Sequence, residues 1–176
     1  MPDQPESIAV RKLTADDAPA FQALRLAALE ECPTAFGASL ADERELSLSE
    51  VAQRIAPPDH GGAGGVGAYA GDALVGIACV FRARGGKERH KAYLVSVYVV
   101  PAYRGKGVSA PLLDAAIGLA RAMPGVRRLN LTVNVANTAA LALYRRLGFV
   151  VYGEEVEGLC VDGVYQDEYL MTLALA

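Results

Sequence analysis

Apolar and polar positions change period several times along this chain, and each change marks an element. Residues 8–13 alternate, a period-two strand pattern, and run into Thr14-Ala-Asp-Asp. Thr14 predicts a helix N-cap there, with Asp16 and Asp17 at the positive end of the helix dipole. Phe21, Leu24, Ala28 and Leu29 then share one helical face, and the helix is expected to stop near Cys32-Pro33. Ser47 and Glu50 have capping-box spacing and predict a second helix to about Ala56, closed by Pro57-Pro58. Residues 66–70 and 73–82 read as strands joined at Gly71-Asp72, a favoured two-residue hairpin turn. Residues 92–100 form a third strand of this meander, rich in β-branched and aromatic side chains, and Pro101 ends it. Beyond it come a helix from Gly107 to about Met123, a strand over 127–133, a helix from Asn137 to Arg146, and closing strands at 149–155 and 165–173.

This order predicts an α/β (α+β) domain around one twisted sheet. The length of 176 residues suits a single domain over 1–176, large enough to fold without a metal or disulfide. Hydrophobic residues make up 52% and charged residues 21%, which excludes a disordered chain. The formal charge of −3 and the lack of a basic stripe predict no nucleic-acid partner. Arg82–Lys91 and Arg127–Arg128 read as solvated turns. Cys32, Cys79 and Cys160 form no CxxC pair and no secretory framework, so no metal is expected. The first seven residues lack the pattern of a signal peptide, and no apolar run approaches the roughly 18 residues that span a bilayer. The expectation is a cytoplasmic protein with no membrane partner.

Two glycine-rich segments differ in context. Gly62, Gly64 and Gly67, inside the run 61–67, satisfy GxGxxG by letter. Prolines precede them and a strand pattern follows, whereas dinucleotide binding needs a strand before and a helix after. This run is expected to be a flexible loop. In Val97-Tyr-Val-Val-Pro-Ala-Tyr-Arg-Gly-Lys-Gly-Val-Ser109 a strand instead enters a turn with two glycines, and a helix begins. The first N–H groups of a helix lack partners and, with the dipole, make an anion site. Arg104 and Lys106 add positive charge beside it. The lysine stands between glycines, so this is not a Walker loop. On its own the segment fits a phosphate site and an ordinary strand-to-helix connection equally well.

Downstream, Asn137, Ala140 or Leu141, and Tyr144 fall on one helical face. Asn137 is placed to cap the helix and also to touch a ligand. Tyr144 reads as a core residue with its hydroxyl at the rim, or as part of a ligand groove.

Arg104-x-x-Gly107-x-Ser109, followed by Asn137-x-x-Ala140-x-x-x-Tyr144-x-x-x-Gly148-Phe149, resembles the GNAT superfamily of N-acetyltransferases in order and spacing. The likeness is strong over residues 95–150 and looser at the flanks. It implies a mixed, mostly antiparallel sheet of about six to seven strands, helices on both faces, and a splayed strand pair that admits acetyl-CoA. The diphosphate would then sit on main-chain amides of Arg104, Gly105, Lys106, Gly107, Val108, Ser109 and Ala110. The backbone of Val97, Tyr98 and Val99 would pair with the pantetheine arm, and Asn137 would contact it. Ser109 departs from the Gly or Ala usual there but is small enough to fit.

The resemblance implies direct attack by an amine in a ternary complex, with Tyr144 protonating the leaving thiolate and N–H groups near Val99 polarising the thioester carbonyl. A lysine-like amine has a pKa near ~10.4, so about one in a thousand is neutral near pH 7 and a base is needed. Relatives carry glutamates at the places of Tyr93 and Thr132; here Glu30, Glu31, Asp167 and Glu168 are the alternatives, acting through water. Residues 31–46 and 153–166 are the expected acceptor walls, with Ala35-Phe36-Gly37 and Tyr98 as apolar surface. The expected acceptor is a small-molecule amine or amino acid; a peptide or protein amine is second, and a non-catalytic acyl-CoA-binding module is the contrasting reading. A homodimer is compatible with the resemblance.

Overall fold

The computed structural model describes residues 7–58 and 62–175; the signal-peptide reading of the N-terminus and Gly61 of the glycine run fall outside them. Seven strands form one mixed sheet: β1 (Ile8–Lys12), β2 (Ala63–Ala70), β3 (Ala73–Arg82), β4 (Lys91–Val99), β5 (Arg128–Asn134), β6 (Val150–Val161) and β7 (Val164–Ala174). Their order is β1-β2-β3-β4-β5-β7-β6. All neighbours are antiparallel except β4 and β5, which are parallel.

Five α-helices accompany the sheet: α1 (Ala18–Glu31), α2 (Leu40–Arg44), α3 (Leu48–Ile55), α4 (Ser109–Ala122) and α5 (Thr138–Arg146). The local signals act as predicted at two starts. Asp17 Oδ2 accepts from Thr14 N at 2.7 Å, and Ser47 N donates to Glu50 Oε2 at 2.8 Å. A short 3-10 turn over Ala15–Asp17 precedes α1, so α1 begins later than its cap signal suggests. The helix α2 was not foreseen; it is five residues long and held by Ser39 Oγ accepting from Asp42 N at 3.1 Å. Among the described residues, no helix is long and apolar enough to cross a membrane.

The sheet separates two cores. On one face α4 and α5 bury Leu112, Leu113, Leu141 and Tyr144 against Val80, Leu94, Leu129 and Met171. On the other, α1 and α3 bury Phe21, Ala28, Val51 and Ile55 against Ile77, Cys79 and Tyr98.

The run 62–67 is corrected from a loop to a strand, since β2 starts at Ala63. Its glycines answer to packing. A Cβ on Gly64 would lie 2.4 Å from Ile55 O, and one on Gly65 would lie 2.8 Å from a Leu13 methyl. Side chains there would push α3 and the β1 end off the sheet. The closing hairpin is also longer than its pattern indicated, because β6 continues to Val161 past an irregularity between Glu155 and Leu159.

Candidate active site

The site begins with a break in strand pairing. β4 and β5 pair only from Lys91–Tyr93 to Arg128–Asn130, although β4 continues to Val99 and β5 to Asn134. Within the unpaired stretch, β4 carries a bulge: Ser96 has φ +57 and the β3–β4 register shifts between Ile77 and Cys79. A bulge bends its strand and increases twist, which turns the end of β4 away from β5. Val100 N bonds to Val75 O at 2.9 Å, on the β3 side. By alternation, the main-chain groups of Val99 and Val97 face the gap. Tyr98 departs from the expectation, for its backbone faces β3 and its side chain packs in the α1 core outside the cavity.

A cavity of about 1220 Å³ opens at this gap. Val97, Thr132, Asn137 and Tyr144 line it together with Arg25, Phe36 and Glu43 from the other side of the sheet. Asn137 caps α5 by accepting from Ala140 N at 3.2 Å, and it reaches the cavity as well. Tyr144 is 7% exposed and packs edge-on against Phe149, with ring centres 5.7 Å apart. Burial pushes its phenol up to about 12, so the hydroxyl holds its proton at neutral pH.

The segment Arg104–Ala110 lies beside the gap and outside the cavity. Arg104 N is closed by Pro101 O at 3.1 Å. Among the described residues, the N–H groups of Gly105, Lys106, Gly107, Val108, Ser109 and Ala110 find no such carbonyl. Gly105 and Gly107 have φ +72 and +77, which aim successive amides outward, and a Cβ at either would meet nothing within 4 Å. The run of open amides therefore begins at Gly105, one residue after Arg104. The Arg104 side chain is a brace. Its Nη1 and Nη2 meet Glu31 at 2.9 and 3.1 Å, its Nε donates to Val99 O at 2.8 Å, and its guanidinium covers the Tyr98 ring.

The candidate bases separate by environment. Glu31 accepts from the Tyr98 hydroxyl and pairs with Arg104, which holds its carboxyl below the usual range. Asp167 Oδ1 is taken by Glu157 N at 2.7 Å. Glu168 is buried, and its carboxyl is raised, first by burial and then by Glu155 opposite it on β6. The Thr132 hydroxyl beside it pulls the other way, and Thr132 lines the cavity.

The predicted wall 31–46 is met by Ala35, Phe36, Gly37 and Glu43. From 153–166, Gln166 lines a smaller cavity of about 360 Å³ that Glu31 and Asn137 also line. Pattern reading missed Arg25 and Asn134. Asn134 ties three segments at the end of β5: its Nδ2 donates to Gln166 Oε1 at 3.0 Å and Thr34 O at 3.4 Å, while its Oδ1 accepts from Ala136 N at 2.9 Å. A polar residue at an inward strand position is the one signal that marked it.

A family model described as the acetyltransferase (GNAT) family matches residues 23–149. The chain is 35% identical over 149 residues to the uncharacterised N-acetyltransferase YjgM of Escherichia coli K12, covering 82% of this chain and 83% of that protein. It is 31% identical over 78 residues to spermidine N(1)-acetyltransferase of Vibrio cholerae, covering 44% of this chain and 45% of that protein. The chain thus spans about half the length of such curated relatives. In fold it matches yncA of Salmonella typhimurium, solved with its cofactor acetyl-CoA, with TM-score 0.81 at 23% identity over 96% of this chain and 94% of that one.

Proposed function

Because the chain belongs to the acetyltransferase (GNAT) family, we propose that it transfers the acetyl group of acetyl-CoA to a primary amine of a small molecule or amino acid. The observation that carries this reading is the parted end of β4 and β5, where a buried, protonated Tyr144 stands at the wall of a large cavity. The residues present fit the cosubstrate. Outward amides from Gly105 to Ala110 suit a diphosphate at the start of α4. The β4 edge unpaired with β5 at Val97 and at the Val99 N–H suits an extended amide-bearing arm, as an added strand would.

Acetyl-CoA supplies an acyl group already activated as a thioester. The protein supplies position and protons. Main-chain N–H groups facing the gap at Val97 and Val99 are oriented to donate to a carbonyl oxygen that gains charge. Tyr144 carries a proton at Oη for a departing sulfur. Although burial raises the phenol, the same dry surroundings raise the basicity of a thiolate, so the two stay matched. Glu168, a raised carboxylate behind Thr132, is the group best suited to take a proton from the amine through water.

The test is Tyr144→Phe, assayed by thiol release from acetyl-CoA with a panel of amines. The expected result is a kcat lower by about 10²–10⁴-fold with acetyl-CoA affinity retained. Unchanged kcat removes Tyr144 from the chemistry, and acetyl-CoA binding without transfer to any amine favours a binding module. Run against pH, wild-type kcat/KM rises through a value above the ordinary glutamate range as Glu168 loses its proton.

A further inference from the structure

Arg25 is 5% exposed and lines the same cavity as Tyr144, yet among the described residues its hydrogen bonds are left unmade. Its Nε and Nη1 are buried and have no hydrogen-bond partner among the described residues. The nearest carboxylate is Glu43, whose Oε1 lies 3.8 Å from Arg25 Nη2, beyond hydrogen-bond reach. Glu43 is committed elsewhere, with Arg54 Nη1 at 2.9 Å from both of its oxygens. Glu50 also lines the cavity, but its carboxylate is held in the α3 capping box by Ser47. Cys79 beside the guanidinium stays a neutral thiol, pushed up to about 12 by burial. Counting Glu50, these two arginines and two glutamates at the cavity carry no net charge, and what stays unmet is the hydrogen bonding of the buried guanidinium.

Buried guanidinium N–H groups without acceptors are unfavourable, and a ligand that accepts from them relieves the penalty. The Phe36 ring lies 4.7 Å from the guanidinium carbon and holds the plane of the fork. A guanidinium with hydrogen bonds to spare matches the oxygens of a carboxylate.

Resting on the acetyltransferase reading, we propose that Arg25 is the carboxylate-binding residue of the acceptor site, so that the amine acetylated here is an amino-carboxylate. Its carboxylate docks on Arg25 beside Phe36, and its amine points along the cavity toward the β4–β5 gap. Arg54 and Glu43 hold the pocket: Arg54 neutralises Glu43, which would otherwise compete for Arg25. A polyamine, with only positive groups to present, is disfavoured at Arg25.

The experiment compares amino acids with the amines that lack their carboxyl group, across several side chains, by thiol release. Wild type is expected to prefer the amino acids by about tenfold to a hundredfold in kcat/KM, expressed mainly in KM. Arg25→Met should erase that preference while leaving kcat for the simple amines and acetyl-CoA affinity in place. Arg25→Lys, a charge without the fork, should restore part of it. Because Arg25→Met leaves the neutral Glu43–Arg54 pair behind, its Tm should hold or rise. Equal use of both acceptor sets by wild type, or a preference that survives in Arg25→Met, overturns the proposal. If no amine is acetylated, the transferase reading fails on its own. Calorimetric titration with N-acetyl amino acids and their amides then decides about Arg25: binding that needs the carboxylate and vanishes in Arg25→Met supports it, and equal binding refutes it.

Discussion

Between Gly62 and Gly67, a methyl group in place of a glycine hydrogen strikes the protein itself: Ile55 O at 2.4 Å from Gly64, Leu13 at 2.8 Å from Gly65, Leu74 at 2.6 Å from Gly67. At Gly105 and Gly107 the same methyl meets nothing within 4 Å. Both segments are glycine-rich, and by letter the first looks more like a nucleotide site. The first is glycine because α3 and Leu13 need the space, and it lies inside a strand with its polar groups paired. The second is glycine because the backbone must turn through φ +72 and +77, which leaves amides open to solvent. A ligand site shows itself as unused space and unused donors, and composition carries neither.

Substitutions at the two places sharpen this contrast. Gly64→Ala has the largest expected effect. It adds a clash with main-chain oxygen to a φ of +130, and should cost about 3 kcal/mol of stability, read as a lower urea midpoint. Acetyl-CoA affinity of the folded protein should not change; a shift there would mean that β2 serves the ligand. Gly107→Ala should reverse the pattern. Its stability cost is about 1–2 kcal/mol, from the left-handed backbone alone, while KM for acetyl-CoA rises about tenfold as the amides lose their aim. A KM that does not move would detach the diphosphate from this loop.

Glu31→Gln is the smallest. It loosens the Arg104 brace on Val99 and should raise KM for acetyl-CoA about twofold, an effect that fades in high salt because the pair is half-exposed. Glu31 is held below its usual range by Tyr98 and then Arg104. The brace is therefore intact at neutral pH and is lost as pH falls through that lowered value.

Local order was legible because its causes are local. Alternation marked most strand positions, Gly71-Asp72 marked the first hairpin, and Thr14 and Ser47 marked helix starts through bonds three residues long. The motif around Gly107 and the Asn137–Tyr144 face were also visible, since an open loop and a capped helix each depend on neighbours in sequence. Arg25 was not. It lies between Leu24 and Leu26 on a helix, and nothing in that spacing separates a buried guanidinium from a solvated one. Its character comes from Glu43, Arg54 and Phe36, brought to it by packing.

By itself the sequence determined most of the elements, two helix caps and the first hairpin turn, and the segments that carry the two motifs, because hydrogen bonds and side-chain period act over a few residues. Tertiary structure alone decided that β7 inserts between β5 and β6, that a bulge at Ser96 parts β4 from β5, and that Arg104 is hydrogen-bonded by Glu31 while Arg25 Nε and Nη1 have no such partner among the described residues. Those outcomes depend on which distant groups share a small volume, and burial and pairing there are set by three-dimensional neighbours.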